Sequence, residues 1–161
     1  MFTVAALALA LAESLLPPLL PFAPGAKMGL CNVVTLVALV LLGYADAYLI
    51  LALRCLLASV FGGNLAALMY SVPAGFASLT VQVILYRLAI KFVSIAGISF
   101  FGAVTHNAVQ VGVASLIVQT NLTAMLPLML AASIIAGLAV GVAAFFAIKY
   151  IPQKFFVKER I

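Results

Sequence analysis

Between Lys91 and Lys149 the chain carries no Asp, Glu, Lys or Arg, and His106 is the one ionisable side chain in that stretch with a plausible charge near neutral pH. A hydrocarbon core needs about 20 apolar residues per helical crossing, so this gap accommodates two crossings and a turn. The segment therefore reads as a helical hairpin in a membrane. Composition extends that reading to the whole chain. Of 161 residues 68% are hydrophobic and 7% charged, whereas a soluble domain carries about 25% charged residues to cover its surface. The expected fold class is an all-α integral membrane protein, a six-transmembrane-helix bundle forming a single domain over residues 1–161. The expected spans are 2–16, 28–43, 45–61, 64–86, 94–119 and 122–150, with a basic tail at 151–161.

Turn chemistry marks the breaks: Pro17, Pro18, Pro21, Pro24 and Gly25 after the first span, Gly62-Gly63-Asn64 after the third, and Thr120-Asn121 after the fifth. The first segment lacks a basic leader and is followed by prolines rather than a small-residue cleavage site, so it is expected as a helix of the mature protein. Lys and Arg concentrate in cytoplasmic loops. Lys149, Lys154, Lys158 and Arg160 in the tail, with Arg87 and Lys91 in the fourth connection, fall on one side, and Lys27 falls opposite. Both termini are thus expected in the cytoplasm and the Pro-rich first loop outside. The formal charge of +5 is mostly this topological signal, with some attraction to anionic membrane lipid, and no nucleic-acid surface is expected.

Within the spans, Arg54 is the most demanding residue. A guanidinium at the centre of a membrane helix costs at least about 2.5 to 3.5 kcal/mol on insertion scales, so it faces protein, a partner or water. Glu13 is the one acid inside a span away from the cytoplasmic edge. A Glu13–Arg54 ion pair is the structural explanation for both, and an anionic ligand is the functional one. Other polar residues recur at helical spacing. His106 and Gln110 are four apart and Asn107 and Gln110 three apart, so all three are expected on one broad face. Asn64, Ser71, Ser78 and Gln82 form a second stripe, Asp46 and Arg54 share a side of the third span, and Asn32 and Thr35 open the second. Such residues serve either as hydrogen-bonding glue between helices, at about 0.6 kcal/mol per contact, or as the lining of a shared interior.

Several function classes lose support. The acids are Glu13, Asp46 and Glu159, too few for a paired-carboxylate metal site, and no nucleophile, base and orienter set is present. An enzyme is not expected, nor a cofactor. Cys31 and Cys55 lie inside spans and are read as small hydrophobes, and with one histidine they make no zinc spacing. The sequon Asn121-Leu122-Thr123 matters only in a glycosylating pathway. A homo-oligomeric channel would need repeated polar rings, which the sequence lacks. Gly137-x-x-x-Gly141 is read as close helix packing rather than a dimer motif.

The stretch Pro24-Gly25-Ala26-Lys27-Met28-Gly29-Leu30-Cys31-Asn32, then Arg54, then Ala103-Val104-Thr105-His106-Asn107-Ala108-Val109-Gln110 resembles the Gx transporter family. That family is also labelled heptaprenyl diphosphate synthase component I, and it is similar to the substrate-binding S components of energy-coupling-factor (ECF) importers. The resemblance runs from Glu13-Ser14 to about Gly141. It implies a subunit of the bacterial cytoplasmic membrane that captures a vitamin-like small molecule outside, under the loop joining the first two helices. That subunit would hand its cargo to an ECF coupling subunit driven by two ATPases. The chain has no glycine loop of its own for ATP. On this reading Lys27, Arg54 and His106 face an anionic or polar group of the substrate, and Asn32, Asn107 and Gln110 orient it. Glu13 meets an amine or restrains Arg54. S components dock through small residues on the first helix, a pattern matched by Ala6 and Ala10 or by Ala8 and Ala12. The competing reading is a non-catalytic membrane accessory subunit linked to isoprenoid or quinone metabolism, its polar seam holding helices together.

Overall fold

The computed structural model describes residues 2–15, 30–61 and 65–151, with side chains for all of these except 13–15, 30–31 and 65–67. Six α-helices run in order: α1 Phe2–Leu15, α2 Leu30–Leu41, α3 Tyr44–Phe61, α4 Leu65–Ala89, α5 Ile95–Val118 and α6 Leu126–Tyr150. A 3-10 turn, Thr123–Met125, leads into α6. The described residues include no strand, so the expected all-α class is the observed one. The stretch from Lys91 to Lys149 is the α5–α6 hairpin, with ends close to those expected.

Local chemistry sets the ends. Gly43, at φ 105°, reverses the chain between α2 and α3 in a conformation that costs glycine little. Ser94 caps α5 by accepting the Gly97 N–H at 3.2 Å. Gln119 ends α5 in the left-handed region, at φ 53°. The Asn121 side chain then accepts the Thr123 N–H at 3.0 Å, turning the sequon residues into the start of the 3-10 turn. Pro127 occupies the first turn of α6, where its missing N–H leaves no gap in the ladder. Pro73 lies inside α4, and the helix continues through it.

Among the described residues α2 packs against α1, α3 and α6 and touches α4, while α5 sits between α4 and α6. The burial of α2 matches a central position, since Val34, Thr35, Leu36, Val37, Ala38 and Leu39 are all buried in succession, on every side of the helix. Leu51 of α3, Leu79 of α4, Ile98 of α5 and Ala144 of α6 complete this core.

The outer surface is apolar. Leu53, Leu56 and Val60 on α3, Ile84 and Leu88 on α4, and Ile135, Phe145 and Phe146 on α6 are exposed, whereas Arg54, Ser78, Gln82, Ser99, Gln110 and Ser133 are buried. Such a distribution suits lipid as the surrounding solvent and would make a water-soluble molecule aggregate. Among the described residues four segments are long and apolar enough to cross a bilayer: Tyr44–Phe61, Leu68–Ala89, Ile95–Val118 and Thr123–Tyr150. The described parts of α1 and α2, with 14 and 12 residues, are shorter than a full crossing at 1.5 Å per residue. Enclosed by its neighbours, α2 need not match the lipid thickness.

The helix ends fix one feature of sidedness. The guanidinium carbon of Arg87, near the end of α4, lies 4.4 Å from the centroid of the Tyr44 ring at the start of α3, a cation–π contact. The basic end of α4 and the α2–α3 turn therefore occupy the same face of the bundle.

Candidate functional site

The buried positions of α3 are Ala47, Ile50, Leu51, Arg54, Cys55 and Ser59, a stripe at steps of three and four that faces the other helices. Arg54 sits on that stripe and is 5% exposed. Its Nη1 donates to Oδ1 of Asn32 in the third position of α2, at 3.2 Å. Sequence reasoning placed Asp46 on the same side of α3, but Asp46 is exposed. Eight residues of helix turn 80° past two full circles, and that carries the carboxylate out of the buried stripe. Cys55 is a free, buried thiol within the core cluster, as expected of a small hydrophobe.

Helix α5 presents two seams. Toward α6, a methyl group on Gly137 would stand 2.9 Å from the Phe100 Cα, and one on Gly141 would stand 2.5 Å from the Ala96 Cα. The two glycines thus let the α5 and α6 backbones meet inside one chain, as their spacing suggested. Asn107 lies on this seam, and its Nδ2 donates to the Met129 carbonyl at 3.1 Å and to Ser133 Oγ at 2.7 Å. Toward α4, Ser78 Oγ donates to the Gly102 carbonyl at 2.8 Å, and the Gln82 side chain lies across Gly102 where a Cβ would stand. One turn on from Gly102, His106 lies on the α4 side of α5, its Nδ1 buried and without a hydrogen-bond partner among the described residues and its ring within electrostatic reach of the Arg54 guanidinium. Gln110 follows one turn later and is 4% exposed.

The structure therefore brings Arg54, Asn32 and His106 into one neighbourhood from α3, α2 and α5, with buried Gln110 on the turn beyond His106. It does not turn Asn107 toward them. Consecutive helical residues point about 100° apart, and because α5 is clamped between α4 and α6, His106 and Asn107 divide between the two seams. Lys27 lies outside the described residues, as does the side chain of Glu13. On α1, Ala6 is fully buried and packs in the core while Ala8 and Ala12 are exposed and Ala10 is half-buried, so the Ala8–Ala12 pair is the one on the outer face.

Sequence reasoning missed two contributors. Gly102 makes room for Gln82, and its lone position after Phe100 and Phe101 was the available signal. Ser133 receives Asn107 and itself donates to the Met129 carbonyl at 2.8 Å. Among the described residues no group of three His, Cys, Asp or Glu side chains could hold a metal ion. A surface groove of about 710 Å³ lies at the far end of α5, lined by Val109, Gly112, Val113, Leu116 and the turn residues Gln119 and Thr123. None of Arg54, Asn32 and His106 lines it.

Fold and site together define a polytopic helical membrane protein that carries its hydrogen-bonding groups and a buried guanidinium inside the bundle and its apolar side chains outside. The chain belongs to the family described as heptaprenyl diphosphate synthase component I, whose profile matches residues 2–147. Comparison with curated proteins and with solved structures gives no match.

Proposed function

We propose that this protein is the substrate-capturing membrane subunit of an importer of the ECF type, taking up a vitamin-like or other small molecule from the external side. The observation that carries the reading is the buried Arg54 guanidinium, bonded to Asn32 and neighboured by His106. An arginine enclosed by three helices of an apolar bundle is a ready recognition point for an anionic or strongly accepting group, because its five donors can grip such a group in a forked geometry. On this reading Arg54 holds the anion, Asn32 and Gln110 orient the molecule, and His106 supplies a further polar contact. Lys27, on the first external loop, and Glu13 complete the set. The six helices all cross the cytoplasmic membrane of a bacterium, with both termini inside. An ECF coupling subunit and two ATPases supply the energy, and the exposed Ala8 and Ala12 offer α1 to that assembly.

The family's description supports a second reading, a non-catalytic accessory subunit of a membrane complex in isoprenoid or quinone metabolism. In both readings the chain is not an enzyme, since Glu13, Asp46 and Glu159 are its complete set of acids. Native mass spectrometry of the gently solubilised protein separates the two. Capture predicts a stoichiometric non-lipid molecule that is lost in a folded Arg54→Gln variant. A wild-type protein that is empty yet retains specific membrane partners sinks capture in favour of the accessory role.

A further inference from the structure

The lipid-facing side of α6 is an apolar stripe that ends in a charge. Ile135, Leu138, Val142 and Phe145 follow one another at steps of three and four and are all exposed, so they share one side of the helix. Lys149 takes the next position of the same stripe, in the last turn of α6, and is exposed as well. Beside it Tyr150 stacks on Phe146, their ring centroids 6.4 Å apart, and faces outward. Tyrosine rings settle at the headgroup level of a bilayer, so the stripe leaves the hydrocarbon at Lys149.

A second lysine reaches this end of the molecule through α5. Phe100 lies against Gly137 and Ala96 against Gly141, so α5 and α6 run antiparallel. From the Ala96–Gly141 contact Lys149 is eight residues further along α6, about 12 Å. Lys91 stands five residues before Ala96, in the turn where the Phe92 and Val93 N–H groups both donate to the Ala89 carbonyl. The adjoining Phe92 is 89% exposed. Lys91 and Lys149 form no hydrogen bond or ion pair with a described residue. Arg87, by contrast, is committed to the Tyr44 ring, and Asp46, the one acid whose side chain is described, belongs with Tyr44 to the first turn of α3. Two ammonium groups thus stand at the headgroup level of the α5–α6 hairpin, above exposed apolar side chains.

We propose that this end of the hairpin binds an anionic phospholipid, its phosphate held by Lys91 and Lys149 and an acyl chain lying along Phe145, Val142 and Leu138. Charge complementarity selects the headgroup, because a zwitterionic lipid brings its own cation beside the phosphate and an anionic one does not. Lysine binds phosphate as a point charge and needs no forked geometry. The apolar stripe selects a lipid over a soluble anion, which would leave those side chains unused. The site is separate from Arg54 and does not depend on the capture reading.

The test is native mass spectrometry of the full chain in detergent, titrated with phosphatidylglycerol and with phosphatidylcholine of the same acyl chains. A lysine near the surface strengthens the hold on an anionic lipid about fivefold, so the wild-type protein should retain one phosphatidylglycerol about twenty-five times more tightly than phosphatidylcholine. Lys91→Gln and Lys149→Gln should each lose about fivefold of that preference and the double variant all of it, with the melting temperature in phosphatidylcholine unchanged. Lys154→Gln/Lys158→Gln removes the same charge from the tail and should keep the preference. Equal retention of the two lipids by the wild-type protein overturns the proposal and leaves the basic end to an acidic partner. A tail variant that loses as much as the Lys91/Lys149 variant overturns it too, since net charge then suffices. So does release of the lipid by millimolar inorganic phosphate, because the acyl contacts then contribute nothing.

Discussion

Arg54 and Asn107 are both polar residues in apolar helices, yet their surroundings assign them different work. Asn107 spends its amide protons within the protein, on the Met129 carbonyl and Ser133 Oγ. Interhelical hydrogen bonds in membranes average about 0.6 kcal/mol and reach about 1.7, so Asn107→Leu should lower unfolding stability by about 1 kcal/mol in a reversible denaturation series. It should leave retention of a captured molecule unchanged. Arg54→Lys should do the reverse, folding normally and failing to retain that molecule, because an ammonium is a point charge without the planar fork. Loss of retention in Asn107→Leu, measured by native mass spectrometry, would show that the α6 seam belongs to the site. The inward direction of Arg54 was legible in the sequence, since any position but the interior would have set a guanidinium in lipid. The division between His106 and Asn107 was not. Spacing states that two neighbours diverge by about 100°, and only the packing of α5 against α4 and α6 decides which helix each one meets.

Helix pairing in this bundle depends on residues that have almost no side chain. Gly137 and Gly141 admit the backbone of α5 at Phe100 and Ala96. Dispersion attraction across so close an approach is what holds helices together in a solvent as apolar as they are. Gly141→Ala would place a methyl group 2.5 Å from the Ala96 Cα, a backbone atom that cannot step aside. The variant should separate α5 from α6 and lose about 1 to 3 kcal/mol, seen as a lower melting temperature in detergent. Gly112 provides the control on the same helix pair, since a methyl group there meets nothing within 4 Å. Gly112→Ala should therefore gain about 0.5 to 1 kcal/mol from the glycine entropy removed and melt higher. Equal effects at the two sites would mean that helix propensity, and not close approach, governs both. The spacing of Gly137 and Gly141 announced this contact, whereas Gly102 has no second glycine four residues away and so named no partner. Its role depends on Gln82, which is 20 residues away in sequence and reaches it through the packing of α4 on α5. Helix positions were similarly legible where charges and turn residues bounded them. The described length of α2 was not, because hydropathy alone does not separate a helix enclosed by protein from one bathed in lipid.

At the scale of the molecule, the charge distribution and the packing make a joint statement about sidedness. In the orientation proposed above, which follows the positive-inside rule, Arg87, Lys91 and Lys149 face the cytoplasm. The contact of Arg87 with Tyr44 brings the α2–α3 turn to that same face, and α5, which starts just after Lys91, must end on the opposite one. The turn between α5 and α6 is then external, with the Asn121 side chain exposed in it. In the same frame Asn32, in the first turn of α2, lies toward the external side of the α2–α3 turn, and its bond to Arg54 ties the buried guanidinium to that end of α2. Capture from the exterior requires this orientation, so the topology test bears on function. In a variant lacking Cys31 and Cys55, Asn121→Cys should react with a membrane-impermeant maleimide added to intact cells, and a cysteine replacing the exposed Phe92 should react only after the membrane is opened. The opposite pattern would put the basic connection outside, against the charge rule. It would leave Arg54 and Asn32 opening toward the cytoplasm, where a subunit that binds extracellular substrate would have no use for them.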